Sequence, residues 1–88
     1  MANLTNSIRH MITGLQMRMA RAALGWSIGR LATLTGVSVS AIQRAEQAEG
    51  VPSMRTTSLF RIEQALLDGG VVFIDANDLG PGVRLRRP

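Results

Sequence analysis

The hydrophobic period of this chain changes once, at Gly69-Gly70. Before this point, apolar residues recur three and four positions apart, as they do in helices that bury one face. After it, residues 71–74 form an unbroken apolar run typical of a strand, and residues 83–86 alternate apolar and basic side chains as a half-buried strand does. Turn-forming residues fill 77–82. The sequence therefore predicts a mainly α protein that ends in a β-hairpin. Because an isolated hairpin is marginal in water, it must pack on a helix or pair with another chain.

Capping residues and glycines divide the helical part into four segments. Thr13 and Gln16 have the spacing of a capping box, and Ser27 and Ser38 can cap the next two helices. Gly36 is suited to the positive φ of the turn between those helices. The predicted helices lie near 14–24, 28–35 and 39–47, with a fourth from Thr56 or Thr57 to 68.

Each segment carries apolar residues that we expect to face one core. They are Leu15, Met19, Ala22 and Ala23; Leu31, Ala32 and Leu34; Ile42 and Ala45; and Leu59, Phe60, Ile62, Leu66 and Leu67. Trp26 would cover the edge of this core. Since 88 residues suffice for one modest core, we expect a single domain over 1–88, with a flexible N-terminus (1–11), a helical core (12–68) and a hairpin tail (69–88).

Composition narrows the class of function. Ten arginines against six acidic residues give a net charge of +4. A small basic domain suits a nucleic acid, an acidic protein surface or an anionic membrane, or simply carries a charged, solvated surface. Cysteine is absent, which excludes disulfides and thiolate metal sites. No apolar run approaches the length of a membrane span and no signal peptide is evident, so we expect a cytoplasmic protein that does not bind a membrane.

The sequence carries no pattern typical of catalysis. His10 is the only histidine, and one imidazole cannot build a zinc site. Glu46, Glu49 and Glu63 show no paired-carboxylate spacing, and no glycine-rich phosphate loop is present. We therefore expect no enzymatic activity, no metal and no cofactor.

Two short helices joined by a turn at Gly36 are typical of a helix-turn-helix motif. The run LATLTGVSVSAIQRAE, residues 31–46, resembles the helix-turn-helix of Cro/C1-type (XRE-like) phage and bacterial regulators. The flanking segments 16–21, 24–27 and 70–75 agree with this resemblance, which covers roughly residues 12–87. It implies that Arg21 and Glu46 form a pair tying the first helix to the third; otherwise they are two independent solvated charges.

The same resemblance implies which residues would meet DNA. In such proteins the third helix enters the major groove, and its exposed side chains read base edges. Here these would be Val39, Ser40, Gln43 and Arg44, while Arg55 is positioned to meet a phosphate. The implied function is a transcriptional regulator, such as a repressor, that binds double-stranded operator DNA. The open edges of the predicted hairpin suggest a homodimer.

Two positions depart from the family pattern. Ile28 stands where the family usually has a glutamine that contacts phosphate, and Val39 stands where glutamine or arginine is common. We expect the two to be neighbours on the outer face and to expose apolar surface together, which suits a protein partner. The alternative function is therefore an antiactivator of the same fold, which binds and inhibits a transcriptional activator protein instead of DNA. Both roles occur among small regulators of this kind on phages and mobile elements, including in quorum-sensing control.

Overall fold

The structure, a computed structural model, describes residues 11–75 and 78–86. These residues form four helices and a two-stranded antiparallel sheet, which confirms the predicted mainly α fold with a C-terminal hairpin. The elements are α1 (Gly14–Leu24), α2 (Ile28–Thr35), α3 (Val39–Glu46), α4 (Thr56–Asp68), β1 (Val71–Ile74) and β2 (Gly82–Leu85). Their bounds differ from the predicted ones by about a residue. The expected flexible N-terminus falls, except for its last residue, outside the described residues.

The turn between α2 and α3 is held by side chains as well as by backbone. The hydroxyls of Ser27 and Ser38 accept backbone N–H groups in the first turns of α2 and α3, as N-caps do. Gly36 ends α2 with a φ of 76°, which favours glycine. The buried hydroxyl of Thr35 accepts the N–H of Val37 at 3.1 Å. The two helices therefore meet at a fixed angle.

The buried core draws on all four helices and on β1. Its members are Ile12, Met17, Ala20, Leu31, Val37, Ile42, Ala45, Leu59, Ile62, Leu66 and Val71. The predicted inward residues of α3 are confirmed, as are those at 59, 62 and 66 in α4. Trp26 packs against this core as predicted, and the ring meets Gly69, where a Cβ atom would lie 2.8 Å from Cη2 of the indole.

The predicted inward face of α1 is wrong. The buried residues of this helix are Gly14, Gln16, Met17 and Ala20. Ala22 and Ala23 are exposed, and Leu15 and Met19 are only half-buried. The reason is that α1 packs against α3 and the hairpin through a glycine and a glutamine, so its contact face does not coincide with its most apolar face.

Leu34 and Phe60 are also predicted inward and are instead 51% and 58% exposed. At the end of α2 the inward position belongs to Thr35, which is buried and bonds the turn. In α4 the core-facing stripe runs through Leu59 and Ile62, and each helical residue turns about 100° from the one before it. Phe60 is thereby directed away from the core.

The hairpin packs on α1, as expected for a two-stranded sheet. Its strands pair in the register Val71↔Leu85 to Ile74↔Gly82. Gln16 joins it to the helix, because its Nε2 donates to the carbonyls of Ile74 at 2.9 Å and Gly82 at 3.0 Å. The Oε1 of Gln16 accepts the N–H of Thr13 at 3.0 Å, completing the predicted capping box. One side chain thus both starts α1 and fixes the hairpin on it.

Candidate nucleic-acid interface

The third helix presents one face to the core and the opposite face to solvent. Its buried residues are Ile42, Ala45 and Glu46. The four residues predicted to read bases, Val39, Ser40, Gln43 and Arg44, are all exposed. They therefore share the outer side of a single short helix, which is the arrangement that a base-reading helix requires.

The inner side of α3 is held to α1 by an ion pair. Nε and Nη2 of Arg21 donate to Oε2 and Oε1 of Glu46 at 2.6 and 2.8 Å, and Nη1 donates to the carbonyl of Trp26 at 2.9 Å. The hydrogen bond to Glu46 raises the pKa of Arg21 above its ordinary value, although burial alone would lower it. A bidentate pair of this kind fixes orientation as well as distance. It therefore sets how α3 sits on α1.

A second contact between the same two helices depends on Gly14. A Cβ atom at this position would overlap the backbone carbonyl oxygens of Ala45 and Ala48, so only glycine allows this approach. The N–H of Gly14 also donates to the carbonyl of Gly50 at 3.0 Å. Sequence reasoning missed this role, because a glycine at the start of a helix gives no signal of what lies opposite.

A cleft of about 610 Å³ lies between α3 and the start of α4. Arg44 and Arg55 line it, together with Ser53, Met54 and Ser58. Both arginines are exposed, and neither forms an ion pair with another residue in the described part of the chain. This cleft brings a predicted base reader and the predicted phosphate contact together. Its chemistry suits an anionic group, since guanidinium ions bind phosphate through paired hydrogen bonds.

A second recess, of about 590 Å³, lies on the other side of α3. Its lining residues are Arg18, Ile28, Gln43, Glu46 and Gln47. Arg18 was not among the predicted site residues. Its spacing in the sequence could have revealed it. Arg18 lies four residues after Gly14 and three residues before Arg21, and both of those residues contact α3.

The predicted apolar pair of Ile28 and Val39 is only partly exposed. Val39 is 43% exposed, whereas Ile28 is half-buried, with one part packed against the core and another part lining the recess. Val39 does not line the recess that contains Ile28.

The fold therefore defines a class of protein: a small helical domain whose helix-turn-helix exposes one short helix between two arginine-bearing clefts. A family model described as a helix-turn-helix domain matches residues 13–64, from the cap of α1 into α4. This match covers more than half of the chain, and the chain belongs to the helix-turn-helix domain family, in agreement with the Cro/C1-type resemblance. No curated protein and no solved structure matches the chain.

The described residues contain neither a candidate metal site nor a candidate membrane-spanning helix. Within 11–75 and 78–86, no three histidine, cysteine or acidic residues come together in a group that could hold a metal ion. Over the same residues, each helix is too short or too polar to cross a membrane. Membership of the helix-turn-helix family suggests a DNA-binding regulator of transcription.

Proposed function

We propose that this protein regulates transcription by binding operator DNA with α3 in the major groove. The observation that carries the proposal is the contrast between the two faces of α3. Its inner face is held by the Arg21–Glu46 pair and by the close approach at Gly14, while its outer face is exposed. A helix that is fixed in this way presents its exposed side chains in one geometry, which base recognition needs.

The exposed side chains have the chemistry to read base pairs. The amide of Gln43 can pair with adenine, and the guanidinium of Arg44 can pair with guanine. Val39 can contact the methyl group of thymine, and the hydroxyl of Ser40 can bond to either kind of base edge. Arg55, at the start of α4, would bind a phosphate and position the helix without reading sequence.

A homodimer follows from the same proposal. The strand order β1-β2 leaves one edge of each strand without a partner among the described residues. Phe73 and Val83 pack toward the core, so the strand alternation directs Val72 and Arg84 to the other side of the sheet. Pairing with the hairpin of a second copy would extend the sheet about a two-fold axis. It would suit two operator half-sites if the two α3 helices were separated by about 34 Å.

The antiactivator alternative depends on apolar surface beside α3. Val39 favours it, since this side chain remains exposed at the first position of α3. Ile28 favours it less, because it is half-buried and packs partly against the core. A single exposed valine is a small anchor for a protein partner, whereas it is sufficient for contact with one thymine methyl. The DNA function is therefore the one that the geometry supports better.

The test is selection of duplexes from a random-sequence pool, followed by titration of the winning duplex at several salt concentrations. The proposal predicts enrichment of a defined sequence and a linear fall of log affinity with log salt. A pool that stays random after repeated selection, with no salt-dependent binding of any duplex, would contradict it. Sedimentation of the complex then gives the number of protein chains on each duplex.

A further inference from the structure

Arg18 lies on the stripe of α1 that contacts α3. Residues three and four positions apart share one face of a helix, so Gly14, Arg18 and Arg21 are aligned along α1. At one end of this stripe Gly14 meets the carbonyl of Ala45, and at the other end Arg21 holds Glu46. Arg18 therefore stands between two points at which α1 is fixed against α3. Its position relative to α3 is set by the same contacts that set the position of the base readers.

Arg18 is a cation whose charge no residue in the described part of the chain neutralises. It is exposed, and it forms no ion pair with any residue over 11–75 and 78–86. The recess that it lines holds one carboxylate, Glu46, and both oxygens of that carboxylate bind Arg21, at 2.6 and 2.8 Å. The positive charge of Arg18 is thus available to an anion from outside the molecule, immediately beside Gln43.

The third helix consequently has an arginine-bearing cleft on each side. Gln43 lines the recess with Arg18, and Arg44 lines the cleft with Arg55. A helix in the major groove of B-DNA lies in a channel about 12 Å wide, and a phosphate backbone bounds that channel on each side. With α3 in the groove, each cleft would face one of its two walls.

We propose that Arg18 binds a phosphate of one DNA strand while Arg55 binds a phosphate of the opposite strand. This inference rests on the proposed function, and it adds a residue and a geometry to it. The two arginines hold α3 from both sides, so they fix its register in the groove. Because a phosphate contact carries no sequence information, Arg18 contributes affinity and no base preference.

The first experiment compares Arg18→Gln, Arg18→Lys and Arg61→Gln on the duplex selected by the wild-type protein. Arg61 is the matched control, since it is an exposed arginine of α4 that lines neither cleft. We expect Arg18→Gln to weaken binding about three- to tenfold near physiological salt and to reduce the slope of log affinity against log salt by about 0.9. Arg18→Lys should retain most of the affinity, because a phosphate can be bound by a point charge. Arg61→Gln should match the wild-type protein.

The second experiment assigns the strands. Single phosphates of the selected duplex are replaced by neutral methylphosphonates, one strand at a time, and each duplex is titrated with each variant. Within one half-site, we expect one strand to contain a position whose neutralisation weakens the wild-type protein but not Arg18→Gln. The opposite strand should contain the corresponding position for Arg55→Gln.

The outcomes separate this inference from the proposed function. If the wild-type protein binds no duplex, both are overturned. If it binds a selected duplex and Arg18→Gln behaves like Arg61→Gln, or Arg18→Lys is as weak as Arg18→Gln, only the role of Arg18 is overturned. If both arginines map to the same strand within one half-site, the two-wall geometry is wrong. Thermal unfolding of each variant, expected to be unchanged at these exposed positions, excludes a folding defect as the cause.

Discussion

The two faces of α3 are built from different kinds of interaction. On the inner face, both carboxylate oxygens of Glu46 bind Arg21. The backbone carbonyl of Ala45 lies so close to α1 that only a glycine, Gly14, fits opposite it. On the outer face, Gln43 and Arg44 are exposed. Changes on the inner face should therefore alter the free energy of unfolding, while changes on the outer face should alter binding and leave the fold intact.

The largest expected effect on stability is at the ion pair. Glu46→Ala leaves Arg21 without its carboxylate, and we expect a loss of about 3 kcal/mol in the free energy of unfolding. This is the low end of the range for buried pairs, because the side chain of Arg21 is 21% exposed. Chemical denaturation measures the change. Glu49→Ala is the matched control at an exposed glutamate three residues on, with an expected change of less than about 0.5 kcal/mol.

A double variant sharpens the interpretation of this first prediction. Replacing Arg21 and Glu46 together with methionine removes both charges, so it should recover much of the stability that the single change loses. A double variant that is less stable than Glu46→Ala would mean that Arg21 itself stabilises the fold, through net attraction in the pair or through its hydrogen bond to the carbonyl of Trp26, and that an unpaired charge is not the main cause of the loss.

The next effect is at the close approach between the helices. Gly14→Ala places a methyl group against the backbone carbonyls of Ala45 and Ala48, and we expect a loss of about 1–3 kcal/mol. Gly29→Ala is the control, because a Cβ atom there meets nothing nearer than 3.7 Å and the residue lies in exposed helix. It should stabilise the protein by about 0.5–1 kcal/mol. Thermal unfolding measures both changes. If the melting temperature shifts in the same direction in both variants, this interpretation of Gly14 is wrong.

On the outer face, Arg44 and Arg55 should affect binding in different ways. Arg44→Ala should lose about 1–3 kcal/mol of binding free energy and relax preference at one base pair. Arg55→Ala should weaken binding to all duplexes alike and reduce the salt slope. Titrations of the selected duplex and of single-base variants distinguish the two. A change of base preference in Arg55→Ala, or unfolding of either variant at lower temperature, would break the distinction between the two faces.

The smallest expected effect is at Val39. If this side chain contacts a thymine methyl, Val39→Gln should change the preferred base at one position and alter affinity for the original duplex by less than about tenfold. Selection with the variant, compared with selection with the wild-type protein, measures this. If the variant and the wild-type protein select the same sequence, Val39 does not read a base, and the antiactivator alternative is favoured.

The bounds of the helices could be predicted because their signals are local. Thr13 and Gln16 bond across one turn, Ser27 and Ser38 cap the helices that follow them, and Gly36 takes the φ that a turn needs. Each of these interactions joins residues close in sequence. The order of helices and strands, and the resemblance of residues 31–46 to a helix-turn-helix, follow from such signals alone.

The contact faces could not be predicted in the same way, because long-range contacts determine them. Gln16 is buried because it binds carbonyls 58 and 66 residues away, which no helical periodicity reveals. Ile28 is half-buried because part of it packs against the core, a contact that its position at the start of α2 does not reveal. The site shows the same division: the resemblance to Cro/C1-type regulators indicated the exposed residues of α3, but Arg18 on another helix was missed.

Mapping of backbone amide shifts on titration with the selected duplex gives the decisive measurement. If α3 lies in the major groove, the amides of 39–44 should shift the most, followed by those near Arg18 and Arg55 on either side. Amides of the core helix face around Leu66 should stay in place, and raising the salt concentration should reverse all shifts together. Shifts confined to the hairpin at 71–74 and 82–85, with α3 unchanged, would contradict the proposal that α3 binds DNA.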